Sequence, residues 1–354
     1  MTAYVHIGIA KTGTTSIQNF LYQNKELLLK QGIFFPQSIG KKEHRAFAAL
    51  NYSEYKNDWF CKTNFLQNKE QLLRKQKDIF GVLNNELQKS SEKYFFDKII
   101  ISSEGIQAYL NSENEYRILK NNLEKLNIGS IKIIIYIRNQ FDLYCSLFSQ
   151  RIKNGRICDS IEKYAGELDA DYKNVYEFKK TIEYCAEVFG MENVIVGVFE
   201  KDSFFKNDLI EDFCNKTQIK LNNEFVKTKN ENETLNLLGM NLLLRLNSVM
   251  PYWNSNSENV TRKNINLVQY VEKYLSFKDE DLKFYPKKRI CDYYMEYFKD
   301  SNEWIRINFF KNKKELFKTC SFVDYKENYK IESMHDKYLD SISLLIFNLI
   351  KEII

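Results

Sequence analysis

Short aliphatic runs set the strongest limit on what this chain can fold into. Lys98 to Ser102 reads KIIIS, Lys132 to Ile137 reads KIIIYI and Asn193 to Phe199 reads NVIVGVF, while Tyr4, Val5, Ile7 and Ile9 mark a fourth run near the N-terminus. A run of four to eight residues that is apolar almost throughout suits a strand buried on both faces. Helical spacing fills the stretches between. Ile17, Phe20, Leu21 and Leu28 recur on one face up to Gly32, which is placed as a C-cap. Helical segments follow through Leu126, a helix continues over Asp142 to Lys153, and another surrounds Val175 to Val188. Strands alternating with helices predict an α/β fold, a central parallel sheet flanked by helices.

The remaining segments read differently. Residues 41–96 are polar and rich in Lys, Asn and aromatics, which predicts helical excursions lying over the sheet. Residues 230–330 carry many aromatics without strand periodicity and predict a helical cap. Ser341 to Ile354 reads as an apolar helix packed on the body, with a peripheral membrane contact left open. No repeat or low-complexity linker interrupts the chain, and its 3 Pro and 12 Gly argue against long disordered stretches.

Charge and cysteines exclude several classes. The net charge of +5, from 52 basic and 47 acidic residues, gives no dense basic face of the kind that binds nucleic acid. The seven cysteines, at 61, 145, 158, 185, 214, 291 and 320, never form a CxxC pair. Their scatter fits neither a zinc site nor a compact disulfide framework, and reads as reduced thiols. The first ten residues run straight into a strand pattern without a signal-peptide layout, and no apolar run reaches the ~18–20 residues that span a bilayer. A cytoplasmic location is expected.

Two motifs carry chemistry. The first, Gly8-Ile9-Ala10-Lys11-Thr12-Gly13-Thr14-Thr15, sits where a strand hands over to a helix. Free N–H groups of the first helical turn and the helix dipole favour an anion there. Gly13 permits close backbone approach, the threonines add hydroxyls, and Lys11 adds a full charge. A Walker A loop places lysine after its second glycine. Here lysine precedes Gly13, which disfavours an ordinary P-loop ATPase or GTPase. The second motif is Arg138-Asn139-Gln140-Phe141-Asp142-Leu143-Tyr144-Cys145-Ser146. An arginine at a strand end and a serine eight residues on in the next helix can converge on one anion.

Together these motifs resemble those of the PAPS-dependent sulfotransferase superfamily, where PAPS is 3′-phosphoadenosine-5′-phosphosulfate. KTGTTSIQNFL resembles the superfamily's 5′-phosphosulfate loop, Lys-x-Gly-Thr-[Ser/Thr] opening a helix. Arg138, Asn139, Asp142 and Ser146 match its 3′-phosphate motif, Arg-Asn-x-x-Asp-x-x-x-Ser. The resemblance implies a P-loop-like sulfotransferase fold with PAPS as donor and no metal. It implies that Lys11 acts on the bridging oxygen between phosphate and sulfate, and that Thr12, Gly13, Thr14, Thr15 and Ser16 cradle the 5′-phosphate. Arg138 and Ser146 would bind the 3′-phosphate. GMENVIVGVFEKDSFFKNDLIEDFCNKTQI and FKDSNEWIRINFF look similar to bacterial sulfotransferases associated with capsular and other surface polysaccharides. A carbohydrate hydroxyl is therefore the expected acceptor, with a non-carbohydrate small molecule as the alternative.

On this reading residues 1–354 form one sulfotransferase domain. Its nucleotide-binding core spans about 1–30 and 95–225, acceptor-side or cap helices span about 40–95 and 230–330, and a C-terminal helix spans 338–354. Departures from the superfamily are visible. Ser16 stands where many cytosolic members have Trp, so adenine stacking must come from elsewhere. Their late Arg-Lys-Gly loop is absent, with Arg262-Lys263 in VTRKN a weak substitute.

Sulfuryl transfer needs a general base. Glu104, at the end of the KIIIS run, is the first choice, because active groups in parallel sheets gather at C-terminal strand ends. His44, in GKKEHRAF, is the rival, since a histidine titrating near neutrality is a natural base. Ser103 either orients a ligand or caps a helix. The three histidines (6, 44 and 335) form no metal-ligand cluster in sequence. Two other classes remain open at this level: a nucleotide-dependent small-molecule kinase with a degenerate P-loop, and a non-catalytic binding protein. Oligomeric state is not legible.

Overall fold

Apolar residues on both faces make the aliphatic runs into the interior of a parallel sheet. In the computed structural model, which describes residues 1–157, 160–164, 173–227, 235–251, 266–276, 279–318, 325–331 and 334–353, five parallel strands form that sheet. They are β1 (Thr2–His6), β2 (Ile33–Phe34), β3 (Lys98–Ser102), β4 (Ser130–Ile137) and β5 (Val194–Val198). Their spatial order is β2-β3-β1-β4-β5, so β1 is central, with β3 on one side and β4 on the other. The expected fold class, a central parallel sheet flanked by helices, is the one observed.

Register decides what each face buries. His6 lies level with Ser102 and Ile134, and Tyr4 with Ile100 and Lys132. Tyr4, Ile100, Ile134 and Tyr136 pack in one core with Ile17, Phe20 and Leu21 of helix Thr14–Gln23 and with Ile210 and Phe213 of helix Leu209–Thr217. Ala3, Val5, Ile99, Ile101, Ile133 and Ile135 alternate with that set, and all are buried. Helix Phe178–Phe189 packs against β4 and β5 and against helix Glu113–Lys125. Each fully buried aliphatic side chain contributes on the order of 1.5–3 kcal/mol against chain entropy.

Three local features differ from the sequence expectation. First, β1 stops at His6, although the expected pattern ran to Ile9. Ile7 and Ile9 are buried all the same, and their N–H groups donate to Ile134 O (2.9 Å) and Tyr136 O (3.0 Å). Second, the first helix ends at Gln23 and a separate helix, Lys25–Lys30, follows. Asn24 causes the break. Its amide donates to Phe20 O and Val226 O, and its carbonyl accepts from the Val226 N–H at 2.9 Å, so its side chain competes with the helix ladder. Third, β2 was not expected. It is two residues long, and it follows a turn closed by Gly32 N–H to Leu29 O at 2.9 Å.

The polar stretch after β2 contains helices Arg45–Leu50, Trp59–Thr63 and Lys69–Ser91. The last buries Leu72, Gln76, Ile79, Leu83 and Leu87, a single stripe at helical spacing.

The chain divides into two compact units. The first contains Met1–Arg138, Tyr172–Asn230 and Ser301–Phe317, and so holds the whole sheet. The second contains Asn139–Asp171, Glu231–Asp300 and Lys318–Ile354. It is helical among its described residues, built from Gln140–Lys153, Leu237–Val249, Leu267–Leu275, Lys288–Tyr297 and Asp336–Ile353. Phe148 stacks on Phe284 at 4.4 Å, Lys153 pairs with Glu272 at 2.6 Å, and the Asn247 amide ties Ile152 O to Arg156 O. In the C-terminal helix Tyr338 and Leu345 are buried within this unit. No described helix is long and apolar enough to cross a membrane.

Gly197 gives a test of the sheet core. A Cβ there would lie 2.6 Å from the Tyr136 ring, whose hydroxyl donates to Asp212 at 2.7 Å. Gly197→Ala should cost roughly 1–3 kcal/mol of stability through overpacking. Urea unfolding of the variant and the parent measures that difference.

Candidate active site

The loop of residues 8–13 leaves the central strand between the ends of β3 and β4, at the C-terminal edge of the sheet, where parallel α/β folds collect ligands. Gly13 is the N-cap of helix Thr14–Gln23 and adopts φ 74°, a left-handed conformation that favours glycine. It is also enclosed. A Cβ on Gly13 would run into Leu209 Cδ2 and come within 3.1 Å of Phe199 Cε2. Packing and backbone conformation thus both demand glycine here. The helix it opens has no side-chain cap and no acidic residue in its first turn, so its positive end is not neutralised from within.

Two cationic side chains flank that helix start. Lys11 lies in the loop, half-buried, with φ 66°. Arg138 follows the last residue of β4, and its Nη1 donates to the Lys11 carbonyl at 3.4 Å. The guanidinium also lies 5.9 Å from the centre of the Phe199 ring, just beyond β5. Residues 127 apart in sequence are thereby brought to one strand edge. Two positive charges about 4 Å from an anion would each attract it by about 4 kcal/mol at an effective dielectric of 20.

Glu104 stands on the other side of the loop. It begins helix Glu104–Tyr109, directly after β3, and its Oε2 accepts from the Thr14 hydroxyl at 2.8 Å. Gly8 allows that approach, since a Cβ there would lie 3.2 Å from Glu104 Cα. Burial is the main force raising the Glu104 carboxyl above the ordinary carboxylate value, and the Glu43 charge raises it further. The Thr14 hydrogen bond and the charges of Arg45 and Lys11 oppose that shift without cancelling it.

The structure sorts the other expected groups. Thr12 is fully buried and donates to Ile9 O at 2.7 Å, so its proton holds the loop closed instead of facing outward. Thr14 gives its one proton to Glu104 and orients that carboxyl. Thr15 is exposed and Ser16 half-buried on the first helical turn. Ser146 is buried on helix Gln140–Lys153 in the second unit, and Asn139 caps that helix by accepting from Phe141 N–H at 2.9 Å and Asp142 N–H at 3.4 Å. Ser103 precedes helix Glu104–Tyr109 without making a cap hydrogen bond, and its hydroxyl is buried. Arg262 and Lys263 lie outside the described residues, as do Cys158 and Cys320.

His44, the alternative base, has the surroundings of a core histidine. It is fully buried; Nε2 bonds Pro36 O at 2.9 Å and Nδ1 accepts the Ser102 N–H at 3.1 Å. Those contacts fix the Nε2–H tautomer and occupy both ring nitrogens. Burial lowers its pKa to about 3. His6 is also fully buried, with Nδ1 2.8 Å from Ser102 Oγ and its ring edge-on to Tyr136 and Phe213. Burial lowers its pKa to about 3 as well. Ser102 Oγ is also reached by Gln18 Nε2 at 3.4 Å, one helical turn beyond Thr14. Among the described residues no group of three or more His, Cys, Asp or Glu side chains could hold a metal ion.

Sequence reading missed Phe199, Leu209 and Gln18 at this site. Phe199 alone left a trace, as the aromatic that ends the NVIVGVF run. Leu209 and Gln18 looked like ordinary helical positions.

No family model and no curated protein matches the chain. Among solved structures, a sulfotransferase from Alicyclobacillus acidocaldarius is similar at 17% identity, with 65% of this chain and 85% of that chain covered and a TM-score of 0.40.

The buried histidines make stability depend on pH. An unfolded histidine protonates near ~6.5, whereas these remain neutral until about 3. Their contribution is intact above ~6.5 and declines as pH falls towards 3, by ~1.4 kcal/mol per pH unit for each. His44→Gln should lose ~1.4 kcal/mol per unit less than the parent between about pH 6 and pH 4. Urea midpoints across that range give the two slopes, and equal slopes would assign the proton uptake elsewhere.

Proposed function

We propose that this protein is a sulfotransferase, which moves a sulfuryl group from PAPS to a hydroxyl of a carbohydrate. The observation that carries this reading is the meeting of Lys11 and Arg138, joined by the 3.4 Å bond from Arg138 Nη1 to Lys11 O, beside an uncapped helix start. A donor with phosphates at both 3′ and 5′ positions needs two such anchors. The motif resemblance assigns them in the same order along the chain.

Each residue then has a defined task. The N–H groups of the first turn, Thr14 to Ser16, and the hydroxyls of Thr15 and Ser16 hold the 5′-phosphate, while the Thr14 hydroxyl stays on Glu104. The Lys11 ammonium stabilises charge developing on the bridging oxygen as the S–O bond breaks. Arg138 takes the 3′-phosphate, a role the motif also gives to Ser146. Glu104, oriented by Thr14, receives the proton of the acceptor hydroxyl as that oxygen bonds to sulfur. A carboxyl raised by burial is a stronger base than an ordinary one. The raised pKa also fixes the sign of the pH dependence: the ionised form is lost as pH falls through it, and turnover falls with it. In this reading the enzyme works in the cytoplasm on a capsular or other surface glycan.

Calorimetric titration tests the nucleotide assignment. Adenosine 3′,5′-bisphosphate should bind about 100-fold more tightly than AMP, and Arg138→Ala should remove most of that difference. Equal affinities in the parent would contradict the reading. Turnover tests the catalytic assignments. Glu104→Gln should lose about 10²–10⁴-fold in kcat, together with the acidic limb of the pH profile, while nucleotide affinity holds. Lys11→Ala should lower kcat more than it weakens nucleotide binding.

A further inference from the structure

The segment before helix Arg45–Leu50 is fastened to the end of β3, and it carries an unusual group of side chains to Glu104. His44 N–H donates to Ser102 O at 2.9 Å while the His44 ring accepts from Ser102 N–H. That double tie holds Glu43 and Arg45 near the start of helix Glu104–Tyr109. Helix Arg45–Leu50 then packs closely on helix Glu104–Tyr109, where a Cβ on Gly105 would lie 3.2 Å from Ala48 Cβ. The charges of Glu43 and Arg45 are both felt at Glu104.

Arg45 is fixed from two sides. Its Nε and Nη2 donate to the two oxygens of Glu43 at 3.0 and 2.6 Å, a bidentate fork, and its guanidinium lies 4.5 Å from the centre of the Trp59 ring. Trp59 is 49% exposed. It is nonetheless rigidly based, because it opens helix Trp59–Thr63, whose N-cap Asp58 accepts from Cys61 N–H and from the Tyr52 hydroxyl at 2.8 Å each. A large aromatic surface held open at a fixed place has the character of a recognition element.

The chemistry of this group selects a ligand class. The Glu43–Arg45 pair carries no net charge, yet it still offers N–H donors beyond the fork and carboxylate lone pairs as acceptors. Such a pair matches hydroxyl groups, which donate and accept together. A carboxylate on the acceptor ring would meet Glu43 and Glu104 as like charges. The indole complements the C–H face of a sugar ring.

We infer that Glu43, Arg45 and Trp59 form the acceptor subsite beside Glu104, and that it takes an uncharged sugar ring in preference to an acidic one. This inference rests on the proposed sulfotransferase reading. Arg45 and Glu43 bond the ring hydroxyls, Trp59 covers one face, and one remaining hydroxyl is presented to Glu104.

The test uses the full chain with PAPS as donor and a panel of uncharged p-nitrophenyl hexosides beside the matching uronides. At least one hexoside should be sulfated with kcat/KM about tenfold or more above that of its uronide. Trp59→Ala should raise KM for that hexoside about tenfold with kcat changed little, and Trp59→Phe should recover most of the loss. Arg45→Lys, which keeps the charge and loses the fork, should raise KM similarly. Affinity for adenosine 3′,5′-bisphosphate should be unchanged in all three variants. An unchanged KM in Trp59→Ala, a preference for uronides, or failure to sulfate any hexoside while the bisphosphate still binds would overturn the inference and leave the nucleotide reading standing. Failure of the parent to bind the bisphosphate would overturn both.

Discussion

The parallel pairing of β1 with β3 on one side and β4 on the other brings three strand ends to one edge of the sheet. The loop of residues 8–13 starts from the middle of that edge, which puts Glu104 and Arg138 on opposite sides of it. The loop, Glu104 and Arg138 all depend on this arrangement. Lys11 is fixed by the loop, the loop by Ile7 and Ile9 bonding along β4, and Glu104 by its place one residue beyond Ser103. A slip of one residue between β1 and β3 would exchange the faces of the strand. It would bury Val5 where His6 meets Ser102, and would separate Thr14 from Glu104.

Polar side chains under the loop reinforce the same geometry. Thr14 reaches Glu104 and Gln18, one turn later, reaches Ser102, so helix Thr14–Gln23 is tied to the end of β3 by two rungs. Ser102 in turn meets His6 through its hydroxyl and His44 through its N–H. A buried group left without a partner costs about 1–3 kcal/mol, so such a network is rigid wherever it is satisfied. The rigidity serves chemistry. In the proposed sulfotransferase reading, Glu104 as base and Lys11 as leaving-group cation would keep their spacing without reorganisation, because both sit at neighbouring strand ends.

Much of this was legible in the sequence, and the exceptions have particular causes. KIIIS and KIIIYI announce buried parallel strands because their interior positions are apolar, and the order of lysine and glycine in the loop departs from the Walker A pattern. Glu104 and Arg138 could be named as strand-end residues for the same reason. What could not be read depends on distant contacts. The break at Asn24 comes from Val226, 202 residues away, and β2 is too short to leave a pattern. Thr12 and Thr14 look alike in sequence, yet one closes the loop on Ile9 and the other orients Glu104. His44 stands in a run of charged residues that reads as surface, and only its tertiary ties to Pro36 and Ser102 make it a core residue. Those same ties carry Arg45 to the site.

In the proposed function the two cations at the loop, Lys11 and Arg138, serve a sulfuryl donor. Incubation of the protein with radiosulfate-labelled PAPS and a hexoside acceptor, with both products separated, tests it most directly. Labelled sugar and an equal amount of adenosine 3′,5′-bisphosphate are expected, with no labelled product when ATP carrying a labelled γ-phosphate replaces PAPS. Phosphorylated sugar from ATP, with no sulfated sugar from PAPS, would contradict it.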